Sequence, residues 1–271
     1  MTNLSYEKKR SETNAIIVIM CKFVGKQLTA YSDKAIIMTD IKDKKIAIFG
    51  ISRLRMGTDG KGITTLVAMM GCPLKCRYCL NDRCHYDVGG NGDGSDGHTL
   101  TPGIHWVTPL ELYEMVKMDN IYFQTTGGGI CFGGGEPTTQ HAFITAFIPL
   151  CPSHWRFTIE SSLCCTTDAI EALAPHIDEW IVDVKDMNSY IYREYTSAEP
   201  VVKERLAELM KLVPEEKIRV KVPLIPDFNT DTDVERSVDE LRAMGLTHIE
   251  RTEYIVKPSK LHIYNKVYNN A

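Results

Sequence analysis

Apolar runs and polar, capped segments alternate along most of the chain, and this alternation predicts strands and helices in turn. The clearest apolar run, TTLVAMM at 64–70, is rich in β-branched residues and suits a buried strand. Further strands are predicted at 129–132, 155–160, 179–184, 217–222 and 248–256. Helices are predicted at 108–117, 138–149, 167–175, 189–195, 200–213 and from a Thr232-x-x-Glu235 cap to Gly245. These strand and helix units indicate an α/β protein with a parallel sheet and right-handed crossovers.

Residues 1–45 show this alternation of strands and helices less clearly than the rest of the chain. Their apolar segments at 15–20 and 35–38 predict strands, and KKIAIFGI at 44–51 predicts another. We therefore expect two parts. Residues 1–45 form a small N-terminal β extension packed on the main domain, and residues 46–271 form that domain.

Composition and charge exclude several classes of protein. The chain has 271 residues, of which 44% are hydrophobic and 24% are charged, and this suits one large domain with a sizeable core. A net charge of −4 gives no electrostatic reason to expect a nucleic-acid or membrane partner. The longest apolar run, AIIVIM at 15–20, is too short to cross a bilayer, and no clean signal cleavage site follows it. We expect a cytoplasmic protein, because nine clustered cysteines suit metal binding in a reducing compartment better than disulfides.

Three cysteines directly after the predicted strand at 64–70 are the strongest chemical signal. Cys72, Cys76 and Cys79 have the spacing C-x3-C-x2-C. Structural zinc sites and ferredoxins use other sets and spacings. Three thiolates can instead hold three irons of a 4Fe–4S cluster and leave the fourth iron open to substrate. The alternatives are three incidental buried cysteines, or a non-catalytic iron–sulfur or zinc-binding protein.

Two motifs carry a resemblance to a known family. The C-x3-C-x2-C run, with aromatic Tyr78 before its last cysteine, resembles the cluster motif of the radical S-adenosylmethionine (SAM) superfamily. Gly134-Gly135-Glu136 resembles the motif with which that superfamily binds the amino group of SAM. The resemblance implies a partial (β/α)6 TIM-like barrel with the cysteines at the carboxyl ends of its strands, where such barrels place their active sites. It also implies a 4Fe–4S cluster on Cys72, Cys76 and Cys79, and reductive cleavage of SAM to a 5′-deoxyadenosyl radical.

A longer match narrows the resemblance. The glycine-rich GTDGKG at 57–62, followed by the cysteines and Asn81, is similar to the start of glycyl-radical-enzyme activating enzymes of the pyruvate formate-lyase type. Leu80 departs from this family, which commonly has histidine there. The resemblance implies hydrogen abstraction from a glycine of a partner glycyl radical enzyme, with flavodoxin or ferredoxin as the electron donor. Another radical SAM reaction, on a peptide or a small molecule, is the alternative.

Polar residues at later strand ends complete the predicted site. Asp183-x-Lys185 resembles a segment of the activating enzymes and implies contacts to SAM, with a surface salt bridge as the alternative. The cofactor-binding residues implied by the resemblance are Tyr78, Asn81, Gly134, Gly135, Glu136, Glu160, Ser162, Asp183, Lys185 and Lys221. Residues 84–105 predict a surface loop or lid. Cys84 and His85 in that loop match no common metal-site spacing.

Overall fold

One sheet of eight strands organises the part of the chain that the computed structural model describes, residues 44–86 and 103–256. The strands are β1 Ile46–Met56, β2 Ile63–Met69, β3 His105–Val107, β4 Gly129–Gly134, β5 Arg156–Ser161, β6 Glu179–Asp183, β7 Ile218–Leu224 and β8 Ile249–Glu253. Their order is β3-β1-β2-β4-β5-β6-β7-β8. Six strands, β2, β4, β5, β6, β7 and β8, are parallel to one another, as predicted. β1 and β3 pair antiparallel and extend the sheet beyond β2, so the fold is a partial (β/α)6 barrel with a small antiparallel addition.

Helices cover one face of this sheet. They are α1 Pro109–Val116, α2 Asn120–Thr126, α3 His141–Phe147, α4 Thr167–Leu173, α5 Ser189–Thr196, α6 Val202–Leu212 and α7 Asp231–Ala243. Short 3-10 helices lie at Asp82–His85, Lys117–Asp119, Pro137–Gln140, Ile148–Leu150 and Glu215–Lys217. The predicted start of α1 is confirmed, because Thr108 and Glu111 form a capping box that satisfies backbone N–H groups of the first turn. α2 and β3 were not predicted.

The core lies between the sheet and these helices. Phe132 of β4 packs edge-on against Phe147 of α3 and stacks with Phe157 of β5. Trp180 and Leu209 are completely buried in the same cluster. Each such side chain contributes about 1.5–3 kcal/mol through the apolar area that it removes from water.

The other face of the parallel strands carries charge pairs, because successive strand residues point to opposite faces. Arg219 of β7 bridges Glu179 of β6, at 2.8 Å, and Glu250 of β8, at 3.2 Å. Two residues further along β7, toward the carboxyl ends of the strands, Lys221 Nζ lies 3.0 Å from Oε1 of Glu160 on β5. The inside of the barrel therefore carries paired charges beside apolar residues such as Ile181.

The glycine-rich loop at 57–62 joins β1 to β2 and so lies at the amino ends of the parallel strands, opposite the cysteines. A Cβ on Gly62 would fall 2.6 Å from the Thr126 carbonyl oxygen, and one on Gly60 would fall 2.4 Å from Thr158 Oγ1. Both oxygens of the buried Asp59 carboxylate accept from Arg55. These glycines therefore serve close packing under the barrel and do not face the cysteine end.

One helix start differs from the prediction. α7 is capped by Thr230 and Asp233, and not by Thr232 and Glu235. The reason lies one residue earlier, where Asn229 accepts from Ile225 N at 2.6 Å and donates to the Pro223 carbonyl at 3.0 Å. These bonds fix the chain just before Thr230, so the first of two overlapping capping boxes is the one that forms.

Two expectations lie largely outside the described residues. The predicted N-terminal extension, residues 1–45, has only its last two residues within them. Most of the predicted surface loop at 84–105 lies outside them as well. The division of the chain at residue 45 stays a prediction. Within residues 44–86 and 103–256, no helix is long and apolar enough to cross a membrane.

Candidate active site

A cleft opens at the carboxyl ends of the parallel strands. Its empty space measures about 780 Å³, including the part open to solvent. The predicted residues that line it are Cys72, Cys76, Cys79, Asn81, Gly134, Gly135, Glu136, Glu160, Ser162, Asp183, Lys185 and Lys221. The strand ends therefore bring together residues that are more than a hundred positions apart in sequence.

The cysteine loop is fastened at both sides of this cleft. On one side, Glu136 N donates to the Gly71 carbonyl at 2.8 Å, and Gly135 N donates to the Met69 carbonyl at 2.9 Å. On the other side, Lys75 N and Arg77 N donate to carbonyls of Thr196 and Tyr195 at the end of α5. The loop thus holds its thiols between β4 and α5, and a metal centre bound there would be fixed relative to the cleft.

The three thiols have different environments. Burial raises the pKa of Cys76 to about 12, although the Lys185 ammonium acts against this. A hydrogen bond with Cys84 lowers the pKa of Cys79 to about 6, and the same partner lowers the pKa of Cys72. Metal binding requires thiolates, so metal affinity at this loop should increase as the pH rises.

Gly134 and Gly135 form a backbone cradle beside the thiols. A Cβ on Gly135 would fall 2.2 Å from the Gly71 carbonyl oxygen, and Gly134 has a φ of +94° that L side chains rarely adopt. Only glycine therefore lets the end of β4 approach the cysteine loop this closely.

The Glu136 carboxylate is directed into the protein. Its Oε1 accepts from the hydroxyls of Thr138 and Ser161, both at 2.6 Å, and its Oε2 accepts from the amide and hydroxyl of Ser162, at 2.8 and 2.6 Å. A buried carboxylate with this many donors is well satisfied. Its side chain therefore braces the end of β5 against β4.

Asp183 and Lys185 form an ion pair at the end of β6. Burial works to lower the pKa of Lys185, but Asp183 and Cys76 raise it, and the net pKa lies above the ordinary value. Asp183 Oδ1 is buried and has no hydrogen-bond partner among the described residues. Such a group is rare in native proteins, and it suits a ligand that donates hydrogen bonds. Lys185 itself has a φ of +65°, a strained conformation for a residue with a side chain.

Tyr78 is the one predicted site residue whose side chain is outside the cleft. It is buried against Tyr195 and Phe228, and its hydroxyl donates to Asp227 Oδ2 at 2.8 Å. Residues that line the cleft but were not predicted are Leu74, Leu80, Ser161, Ile181 and Tyr254. Tyr254 directly follows β8, so extending the strand-end reasoning to the last strand would have found it.

The geometry first defines a class of protein. Three thiols, a cradle of exposed backbone and an incompletely satisfied charge pair surround a cleft at the carboxyl ends of barrel strands, and this is the arrangement of a metal-dependent barrel enzyme. The sequence profile of the Radical SAM superfamily matches residues 66–249. The chain belongs to the Radical SAM superfamily.

Several characterised proteins are similar over most of their length. A (2S)-3-sulfopropanediol dehydratase activating enzyme of Klebsiella oxytoca is 26% identical, with 71% of this chain and 75% of that protein covered. An isethionate sulfite-lyase activating enzyme of Nitratidesulfovibrio vulgaris is 24% identical, with 78% and 85% covered. A choline trimethylamine-lyase activating enzyme of Oleidesulfovibrio alaskensis is 24% identical, with 73% and 78% covered.

The cofactors of this superfamily are a 4Fe–4S cluster and SAM, as the sequence predicted. The residues of the cleft fit both. Cys72, Cys76 and Cys79 supply thiol ligands from a single loop. The unpartnered Asp183 Oδ1 and the exposed backbone at Gly134 can accept from an ammonium group.

Proposed function

We propose that this protein is an activating enzyme that removes a hydrogen atom from a glycine of a partner glycyl radical enzyme. The observation that carries the proposal is the similarity to activating enzymes of three different proteins, over about three quarters of the chain. When bound, the cluster and SAM supply a 5′-deoxyadenosyl radical, with an electron from a small donor such as flavodoxin or ferredoxin. The rest of the proposal concerns what this chain's own residues do.

Binding of SAM falls to residues from several strand ends. Cys72, Cys76 and Cys79 hold the cluster. The Lys185 ammonium pairs with the SAM carboxylate, while Asp183 Oδ1 and the backbone of Gly134 accept from the SAM ammonium. Because these groups come from the cysteine loop and from the ends of β4 and β6, binding energy is converted into orientation of the reacting bond.

The floor and part of the wall of the cleft limit the access of water. Leu74 and Ile181 are buried and supply apolar wall. The Glu160–Lys221 pair closes the floor, with both side chains less than a third exposed. Tyr254 completes the wall, held by a hydrogen bond from its hydroxyl to the Tyr78 carbonyl at 3.0 Å. A dry site protects a reactive radical from side reactions.

The test uses the anaerobically reconstituted protein, dithionite, SAM and a glycyl radical enzyme from the same organism. We expect a doublet glycyl radical signal by electron paramagnetic resonance. Deuterium placed at the partner glycine should appear in 5′-deoxyadenosine. A partner with that glycine changed to alanine is the control, and it should give neither result.

The alternative is hydrogen abstraction from a peptide or a small molecule. If deuterium reaches 5′-deoxyadenosine from such a molecule, and never from the partner protein, the activating role is wrong. Membership of the Radical SAM superfamily would be unaffected by that result.

The compartment is also part of the proposal. No disulfide joins the described cysteines, and a 4Fe–4S enzyme requires reduced thiols. Both features support the cytoplasm. A fluorescent fusion or cell fractionation would test this.

A further inference from the structure

A fourth cysteine lies behind the three that hold the cluster. Cys84 is on the 3-10 helix Asp82–His85 and is only 3% exposed. Its thiol is in hydrogen-bonding contact with the sulfurs of both Cys72 and Cys79. It does not line the SAM cleft, and it lies with Cys72 and His85 along a second cavity on the other side of the cysteine loop. The proposed SAM chemistry leaves it without a role.

His85 adds a nitrogen ligand to this group. The sulfurs of Cys79 and Cys84 and a ring nitrogen of His85 all lie within 4.8 Å of one another. The Cys72 thiol contacts Cys84 but lies outside this group of three, and by turning toward the same ion it would complete a set of three thiols and one imidazole. This is a common ligand set for tetrahedral zinc, which binds sulfur at about 2.3 Å and nitrogen at about 2.0–2.1 Å.

The backbone holds this group in place. Gly71 N donates to the Cys84 carbonyl at 2.9 Å, and Cys84 N donates to the Asn81 carbonyl at 2.9 Å. The 3-10 helix is thereby tied to the start and to the end of the cysteine loop. Cys79, Cys84 and His85 are therefore already close together, and the Cys72 side chain must turn to join them.

We propose that Cys72, Cys79, Cys84 and His85 form a zinc site in the protein before the cluster is inserted. Binding releases the protons that these thiols still carry and involves no redox step. The zinc site and the cluster share Cys72 and Cys79, so they exclude each other. Cys76 belongs to the cluster set alone, and Cys84 and His85 belong to the zinc set alone. Zinc keeps the loop ordered and its thiols unoxidised until iron and sulfide replace it. The inference rests on these side chains and not on the partner proposed above.

The test measures both metals on the same variants. Iron-free, reduced protein is titrated with Zn²⁺, and with Co²⁺ as an optical probe of tetrahedral thiolate coordination. We expect one ion per chain, with intense d–d bands and thiolate-to-cobalt charge transfer. Cys84→Ala and His85→Ala should each weaken zinc binding by at least about 100-fold, more than the loss of an outer hydrogen-bond partner. Both should still take up four irons and four sulfides. Cys76→Ala should do the reverse, keeping zinc and losing the cluster.

Two results would overturn the proposal. One is unchanged zinc affinity in both Cys84→Ala and His85→Ala; the exposed His85 provides a variant whose folding is not in question. The other is cluster assembly at an undiminished rate in the zinc-loaded protein, which would show that the two sites do not share ligands. Circular dichroism of each variant checks that the fold is retained.

Discussion

The two ends of the barrel are built from the same kinds of residue and do different work. At the amino ends, the Asp59 carboxylate has both oxygens bonded to Arg55, and the glycines at 60 and 62 press against neighbouring atoms. At the carboxyl ends, Gly135 is packed just as tightly, but one oxygen of Asp183 has no partner within the described residues. The difference teaches that glycines and charge pairs do not by themselves mark a site. What distinguishes the carboxyl end is a charged oxygen whose hydrogen-bonding capacity the fold leaves unused, because the other buried unpartnered atoms that the structure describes, on Thr64, Trp180, Tyr192 and Tyr195, are neutral.

The largest expected effect comes from removing a cluster ligand at the carboxyl end. Cys76→Ala should lower reductive SAM cleavage to background, because two thiolates cannot hold the cluster in place. Iron and sulfide analysis, Mössbauer spectroscopy and assay of 5′-deoxyadenosine measure this. Cys151→Ala, far from the cleft, is the control and should retain about four irons per chain. Cleavage by Cys76→Ala at the native rate would show that the ligands are elsewhere.

The second prediction concerns the packing of the glycine-rich loop at the amino ends of the strands. In Gly62→Ala the new Cβ would fall 2.6 Å from a backbone oxygen at a φ of +71°. Strain and overpacking should together lower the free energy of unfolding by about 2–5 kcal/mol. In the control, Gly57→Ala, φ is +79° but no atom lies within 4 Å, so only about 1–2 kcal/mol should be lost. Urea denaturation measures both, and equal losses would refute the packing role of the loop.

The third prediction compares a lysine from each end. Lys185→Met should raise the dissociation constant for SAM by roughly 10–100-fold, since an ionic hydrogen bond contributes about 1.5–3 kcal/mol. Lys61→Met, on the glycine loop, should leave SAM affinity unchanged. Calorimetry on reconstituted protein measures both constants. If Lys185→Met binds SAM as tightly as the native protein, the proposed carboxylate contact is wrong.

The smallest expected effect is a pH dependence of the free energy of unfolding, caused by the buried Asp186. Burial raises the pKa of Asp186 above its ordinary value of 3.8, although bonds from Asn188 and Asn229 act against this. The folded state therefore holds the proton more tightly than the unfolded state. The free energy of unfolding, taken relative to Asp186→Asn, should fall as the pH rises from 3.8 through the folded-state pKa, and then level off. Denaturant melts of both proteins across this range measure the difference, and a constant difference would contradict the prediction.

A local sequence signal predicted the structure correctly where all the groups that it involves lie close together in the sequence. Thr108 and Glu111 predicted the start of α1 because both partners of that capping box lie within one turn. The same signal failed at α7, where Thr230-Asp233 and Thr232-Glu235 overlap. Hydrogen bonds of Asn229 to other parts of its loop decide between them, and a capping pattern does not contain that information.

For the candidate site, too, the sequence predicted some features and missed others. Strand-end position brought nearly all the predicted residues to one cleft. The side chain of Tyr78 is elsewhere because an aromatic cluster with Tyr195 and Phe228 buries it. Cys84 was set aside on spacing, yet a short 3-10 helix folds it back onto Cys72 and Cys79. The spacing of cysteines in the sequence does not show that a short helix will bring one of them back against the others.

A sheet that does not close into a full barrel keeps two outermost strands, which in the described part of the chain are β3 and β8. Outer strands can recruit strands from other molecules and so begin aggregation. β3 is only three residues long and offers few backbone groups for such pairing. β8 reads IERTE, and its Arg251 is engaged by Asp231 at 2.9 Å and by Glu235 of α7. Short and charged margins therefore limit pairing between the edges of neighbouring molecules while the barrel stays open.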